Sequence, residues 1–336
     1  MRGTKQSPPA ELTLYCLEIA LYLAMMLLQV MQPSHQPTLI VVAGPTAIGK
    51  TAAAIKLAQH FNTVVVSADS RQFFREMSIG TAKPDTDELA AAKHYFIGSH
   101  SVTESFSVGD FEREGLALLN ELFETHDKVI LAGGSGLYIK AICEGFDELP
   151  VADIETREKL NQELQEKGIT VLQERLKEVD PDYYAEVDLN NPQRLIRALE
   201  VFETSGKPFS SYRNATVNKR PFNIVKMALN MPREKLYERI NLRVDLMVKQ
   251  GLLDEVKSLL PHRHLNALNT VGYSEVYDYF DGKNTLEEAI AMIKQNTRRF
   301  AKRQLTWFRR DQNFIWFDAG APDVIDQMIK TIETPA

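Results

Sequence analysis

Eight residues near the start of the chain have the types and spacing to hold a phosphate chain. Gly44, Pro45, Thr46, Ala47, Ile48, Gly49, Lys50 and Thr51 fit the pattern G-x-x-x-x-G-K-[ST]. They follow an apolar run at 38–43 that reads as a buried strand, and precede an alanine-rich stretch at 52–60 that reads as a helix. In a strand–loop–helix setting, successive backbone N–H groups and a helix N-terminus converge on one anion. Lys50 adds a point charge on the terminal phosphate, and the Thr51 hydroxyl offers a ligand for Mg2+. Glycine at 44 and 49 supplies unusual backbone angles and close approach. The motif predicts a site for a diphosphate or a triphosphate, and leaves open which.

Asp69 ends a second strand-like run, 63–67, through Ala68. Two roles fit it: a partner of Mg2+ acting through water, or a general base facing an acceptor nucleophile. Arg239 and Arg243 lie four apart in a helical segment and so share a face; with Lys50 they could hold an anionic leaving group. The segment 285–310 reads as one helix. At 100° per residue, Lys294, Arg298, Arg299, Lys302, Arg303, Arg309 and Arg310 share one arc. Ile290, Ile293, Phe300, Ala301 and Phe308 share the opposite arc. No acidic residue occurs from 294 to 310. In a chain of net charge -6 that segregation suits a phosphate backbone. The tract 71–84 mixes basic, aromatic and small residues directly after Asp69. It reads as a substrate loop in which Phe73 or Phe74 could stack on a base.

The elements that must position these residues follow from periodicity. A third strand-like run, 128–132, ends in Gly133-Gly134-Ser135-Gly136, and 107–125 between the runs has helical spacing. Strands alternating with helices imply right-handed crossovers and a parallel sheet. Ligands collect at the carboxyl ends of such strands, so the three motifs should face one cleft. The expected fold is α/β: a P-loop NTPase-like parallel sheet flanked by helices, with a helical insertion domain. Residues 37–146 form the catalytic core. Residues 147–212, charged and helical in pattern, form the insertion. Residues 213–336 complete the core, with a strand at 222–230, helices at 233–260 and 285–310, and a last strand at 314–318.

Bulk properties narrow the class. With 336 residues, 44% hydrophobic and 25% charged, the chain has ample core for two domains. No global basic field announces nucleic acid, so any such site is a local patch. Cys16 and Cys143 show no metal-ligand spacing, and a reduced cytoplasm is the default. Residues 1–36 form an extension in which the apolar stretch 12–30 is broken by Glu18. A central glutamate is costly in a bilayer, and Met31 stands seven residues before the first core strand. A start-site artefact or accessory helix is preferred to a membrane anchor or a signal peptide.

Taken in order, GPTAIGKT at 44–51, SADSRQFF…MSIGTAKP at 67–84 and GGSGLY at 133–138 resemble the tRNA dimethylallyltransferase family. So do NPQRLIRALEV at 191–201, LYERINLRVDLMVKQGLLDEV at 236–256, NTVGYSE at 269–275 and KRQLTWFRR at 302–310. The resemblance spans about 37–318. It implies transfer of the dimethylallyl group from dimethylallyl diphosphate to N6 of the adenosine just 3′ of the anticodon. It further implies that Thr46 and Lys50 contact the diphosphate, that Thr51 binds Mg2+, that Asp69 is the general base, and that Arg243 stabilises the departing diphosphate. Arg239 is a helper. Implied tRNA contacts are Asp69, Ser70, Arg71, Gln72, Ser135, Arg157, Gln193, Arg194, Leu195, Ile196, Arg197, Asn269, Thr270, Val271, Gly272, Tyr273 and Ser274. Ser135 stands where the family has threonine, and Asn269 and Ser274 where its members are often basic. No Cys/His cluster follows the last strand, which implies the bacterial type. The expected partners are the tRNA anticodon stem-loop and the prenyl donor, with no stable membrane association, and the expected form is a cytoplasmic monomer. A small-molecule kinase using ATP is the rival reading of the same loop; it leaves the cationic helix unexplained.

Overall fold

The computed structural model describes residues 36–145, 150, 153–213 and 219–334. The apolar stretch at 12–30 lies outside them. Among the described residues no helix is long and apolar enough to cross a membrane. The chain opens with β1 (Thr38–Ala43), α1 (Lys50–His60), β2 (Val65–Ser67), α2 (Thr86–Ala91) and β3 (His94–Tyr95). Then come α3 (Val108–Phe123), β4 (Lys128–Gly133) and α4 (Gly136–Glu144). Four helices follow: α5 (Ile154–Lys167), α6 (Ile169–Val179), α7 (Pro181–Glu186) and α8 (Pro192–Ser205). The rest is β5 (Asn223–Asn230), α9 (Arg233–Lys249), α10 (Leu252–Ser258), α11 (Ser274–Phe280), α12 (Leu286–Phe308), β6 (Ile315–Asp318) and α13 (Val324–Glu333).

The strands form one sheet in the order β3-β2-β4-β1-β5-β6, and every pairing is parallel. Helices cover both faces of such a sheet, which is why β1 is a continuous apolar run with all residues from Leu39 to Ala43 buried. Against it pack Ala54, Leu57 and Ala58 of α1, together with Leu236, Ile240 and Ala301. The alanines let α1 lie close to the strands, so its first turn sits directly over the sheet edge. Register then does the placing. Ala43 pairs with Gly133 and with Ala228, and Ser67 pairs with Ala132. The carboxyl ends of β2, β4 and β1 therefore finish level, and the loops at 44–49, 68–72 and 134–135 leave from the same edge.

The chain forms two compact units. Of the described residues, the first unit takes those up to Ser105, Leu116–Gly136 and those from Pro221 onward, and holds the sheet. The second comprises Phe106–Gly115 and Leu137–Arg220. It is larger than the insertion read from sequence, because Arg220 reaches back: its guanidinium pairs with Glu112 at 2.7 Å and donates to the carbonyls of Ala141 and Ile142. The core of this unit is Leu160, Leu172, Leu176, Tyr183, Leu195, Ile196, Ala198 and Leu199. Asp180 links its parts, accepting from Tyr183 N and from Ser210 N.

Two expected elements differ. The helix expected over 233–260 is broken, because Gly251 takes φ 100 and starts α10 on a new axis. The two-residue strand β3 was not anticipated; its pattern is too short to carry a period.

Candidate active site

The phosphate-loop residues adopt the geometry that the motif requires. Gly44 and Gly49 have φ of 148 and 107, and Ala47 is left-handed at φ 64. Gly49 caps α1, so Lys50 and Thr51 open the helix with its first N–H groups directed at the loop. The Lys50 ammonium donates to Pro45 O at 2.8 Å. Burial pushes its pKa down to about 8; Arg243 adds to the fall, and Asp69 opposes it. Arg243 itself lies below the usual arginine range, through burial and then through the nearby charge of Arg239, while Glu88 and Asp69 oppose. Arg239 is fixed by donating Nε–H to Ala47 O at 2.8 Å. Three cations are thus gathered at one loop, two of them with their charged forms disfavoured. Such an arrangement gains free energy by taking in an anion.

Asp69 leaves the end of β2 and accepts from Arg71 N at 3.0 Å, a local turn that fixes its carboxylate. Its charge acts on both Lys50 and Arg243. Ser70 N donates to Ser135 Oγ at 2.9 Å, which ties the loop after β2 to the loop after β4. The parallel register brings these loops to one edge of the sheet, where a Cβ on Gly134 would lie 3.5 Å from both Gly44 O and Lys50 Nζ. Thr46 N donates to Gln304 Oε1 at 2.9 Å. Thr51, half-buried on the first turn of α1, offers one hydroxyl. Among the described residues no group of three or more His, Cys, Asp and Glu could hold a metal ion by itself. A lone Thr51 hydroxyl is nevertheless compatible with Mg2+, a hard ion that takes few protein oxygens and completes its shell with phosphate and water.

The tract after Asp69 is held rigidly. Gln72 accepts from Ser67 Oγ and donates to Thr81 O and Ala82 O, so its amide serves the loop. Arg71 donates to Ser70 O and to Asn266 O. Phe73 and Phe74 are buried against each other as a T-shaped pair. The suggestion that they stack on an RNA base is therefore corrected: they are core. Residues 78–80 wrap the carboxylate of Glu255, which accepts from Ser78 N, Ile79 N and Gly80 N and from Tyr273 Oη. Sequence reasoning missed Glu255, since nothing in α10 marks it.

In the 269–274 tract, Asn269 is exposed and Thr270 O accepts from Tyr273 N and Ser274 N. Val271 is half-buried, and Gly272 at φ 96 donates to Glu275. Tyr273 is fully buried, and burial and Glu255 together raise its pKa, so it stays a donor. Direct RNA contact by the Tyr273 side chain is corrected to support of the substrate loop. In the second unit Gln193 and Arg194 are exposed at the start of α8, whereas Leu195 and Ile196 are core. Those two side chains hold the helix and do not reach a ligand. The buried Glu200 accepts from Arg197 at 3.0 Å and lies 3.8 Å from Arg157. It thereby sets both arginines on one surface.

The cationic helix is partly committed. Lys294 pairs with Asp245 at 2.6 Å, and Arg298 donates to Asn241 while lying over the Tyr237 ring. Phe300, expected on the apolar arc, is exposed beneath the Arg303 guanidinium. What remains is an open depression of about 440 Å3 lined by Arg299, Lys302, Arg303, Thr306, Trp307 and Arg310. Its Trp307 packs on Gly136, where an added Cβ would lie 2.1 Å from the indole. The basic groove thus begins at the residue after Ser135. Gln304 stands in the KRQLTWFRR motif, but the sequence reading gave it no role. Its signal was helical spacing, three after Ala301 and four before Phe308, an amide on the buried face of a basic helix.

Residues 72–311 match the family model described as IPP transferase. A tRNA dimethylallyltransferase of Christiangramia forsetii is 54% identical over 298 residues, which cover 88% of this chain and 99% of that protein. Among solved structures, the full-length tRNA isopentenylpyrophosphate transferase of Bacillus halodurans is 39% identical. Its TM-score is 0.65, over 88% of this chain and 94% of that one. A eukaryotic dimethylallyltransferase acting on tRNA is 25% identical with a TM-score of 0.72, over 88% of this chain and 77% of that one.

Proposed function

We infer the activity from one premise: this chain belongs to the IPP transferase family of tRNA dimethylallyltransferases. It is a prenyltransferase that moves the dimethylallyl group of dimethylallyl diphosphate to N6 of the adenosine 3′ to the tRNA anticodon, releasing diphosphate. The observation that supports this most is the gathering of Lys50 and Arg239 on the 44–51 loop through Pro45 O and Ala47 O, with Arg243 and the Asp69 carboxylate close enough to act on the Lys50 charge.

Adenine's exocyclic amine is a weak nucleophile because its lone pair is delocalised into the ring. Three contributions lower the barrier. The Gly44–Thr51 loop, Lys50, Arg239 and Arg243 neutralise the charge that grows on the diphosphate as its bond to the allylic carbon breaks. The cradle fixes that carbon in line with N6. Asp69 takes the amine proton as the new carbon–nitrogen bond forms. Bound Mg2+ would be held through Thr51 and would add charge stabilisation on the diphosphate. The target base must leave its stack to reach the carbon. Docking of the stem-loop is supported by the basic groove of α12 and, in the second unit, by Arg157, Gln193, Arg194 and Arg197. Ser70, Arg71, Ser135, Asn269, Thr270 and Ser274 are read as nearer contacts. Donor and tRNA are both water-borne polyanions, which supports a cytoplasmic site of action, and we take the working form as a monomer.

The test is incubation with radiolabelled dimethylallyl diphosphate and an unmodified anticodon stem-loop. Label in the RNA is expected. Label arriving instead from the γ-phosphate of ATP on a small molecule would replace this reading with a kinase. Light scattering tests the monomer.

A further inference from the structure

We propose that Gln304 is a positioning residue that fixes the donor cradle against the acceptor side of the site. The inference rests on the prenyl-transfer reading above. Gln304 is buried on the inner face of α12, and both ends of its amide are used. Oε1 accepts from Thr46 N at 2.9 Å, and Nε2 donates to Gly134 O at 2.8 Å. These partners lie 258 and 170 residues away. A primary amide can accept and donate at once, whereas an ionised carboxylate cannot donate and a thioether does neither usefully.

The second partner matters because of what adjoins it. Gly134 passes so close that an added Cβ would lie 2.4 Å from Gln304 Nε2 and 3.5 Å from Lys50 Nζ. The next residue, Ser135, accepts from Ser70 N through its hydroxyl and donates its own N–H to Ala68 O at 3.4 Å. Ala68 and Ser70 flank Asp69. A continuous polar strap therefore runs from Thr46 through Gln304, Gly134 and Ser135 to either side of the base. The strap sets the distance between the donor's allylic carbon and the amine facing Asp69. Reacting atoms must approach to about 3–3.5 Å, and a slip of about 1 Å costs about 100-fold in rate. Gln304 touches neither substrate in this account and acts through Thr46 and Gly134.

The experiment uses the full chain with two variants. Gln304→Met keeps volume and removes both bonds. Gln304→Glu keeps the acceptor toward Thr46 and loses the donor toward Gly134. For Gln304→Met, kcat for stem-loop prenylation is expected to fall about 10- to 100-fold. Inorganic diphosphate, measured by calorimetry, should still bind within about 3-fold of wild type, because Lys50 and Arg239 are untouched and the Thr46 N–H released from Gln304 stays in the loop, free to donate to the anion. In kcat at saturating RNA, where the reading of Ser135 as an RNA contact does not weigh, adding Ser135→Ala should cost little more, since both substitutions cut one strap. A general loosening of the fold would instead weaken diphosphate binding along with turnover and would add to the effect of Ser135→Ala. Wild-type turnover in Gln304→Met, a loss confined to diphosphate affinity, or full additivity with Ser135→Ala overturns the proposal. Should methionine at 304 fail to fold, Gln304→Glu carries the test: a similar kcat loss supports the strap, and wild-type turnover refutes it. Wild-type protein that leaves the RNA unlabelled refutes the activity reading, a result distinct from any of these.

Discussion

Glu255 offers a measurable test of how the substrate loop is held. Its carboxylate accepts four hydrogen bonds: Ser78 N at 2.9 Å, Ile79 N at 2.7 Å, Gly80 N at 2.9 Å and Tyr273 Oη at 2.6 Å. Bonds to a charged acceptor contribute about 1.5–3 kcal/mol each, and less than additively when they share one group. Glu255→Ala leaves the fully buried Tyr273 hydroxyl and two part-buried N–H groups without partners, whereas Ser78 N can turn to water. We work this to a loss of about 3–5 kcal/mol in urea unfolding. Glu255→Gln is milder. Its amide nitrogen can face Tyr273, whose hydroxyl rotates to accept, but it then opposes the Gly80 N–H; about 1.5–3 kcal/mol is expected. Tyr273→Phe removes the hydroxyl together with its need for a partner, so it should cost about 1–2 kcal/mol and couple strongly to Glu255→Gln in a double-mutant cycle. Amide exchange at 78–80 should rise in the same order. Because Gln72 is tethered to Thr81 O and Ala82 O, the KM for stem-loop RNA should rise about 10-fold in Glu255→Ala, with the donor KM unchanged. A Glu255→Ala protein that keeps its stability within about 0.5 kcal/mol and its exchange protection at 78–80 would refute the reasoning.

Four further outcomes are expected. Asp69→Ala should lower turnover by about 100- to 10,000-fold with RNA affinity nearly unchanged, while Arg243→Ala should slow transfer and weaken diphosphate retention; loss of RNA binding at normal turnover contradicts the base assignment. Lys50 titrates near 8 in the free protein, and a bound diphosphate favours its charged form. Affinity for diphosphate should therefore hold below that pH and fall about 10-fold from pH 7 to pH 9, with proton uptake seen as buffer-dependent heat; pH-independent binding across that range argues against it. Replacing Lys302 and Arg303 by glutamine should flatten the salt dependence of RNA binding by about 0.7–0.9 per charge, and an unchanged slope places the footprint elsewhere.

The sequence by itself determined whatever depends on short range. The apolar run at 38–43, the glycines at 44 and 49 and the alanine-rich helix specify one strand–loop–helix, because periodicity and backbone freedom act within a few residues. Asp69 and the turn 133–136 were legible as candidates beside the loop for the same reason: each follows a strand of a parallel sheet, and register levels those strand ends; a role for Ser135 came only from the family resemblance. Whether a polar or aromatic side chain faces a ligand or its own fold is decided at long range, and the same local pattern serves either. Phe73 and Phe74 resembled a stacking platform and are core, while Arg298 resembled part of the cationic face and is spent on Asn241 and Tyr237. Gln304 meets Thr46, and Glu255 meets residues 78–80, only because chain segments more than 170 residues apart are folded together. Their contribution is a distance between groups, and only the packed tertiary structure sets one.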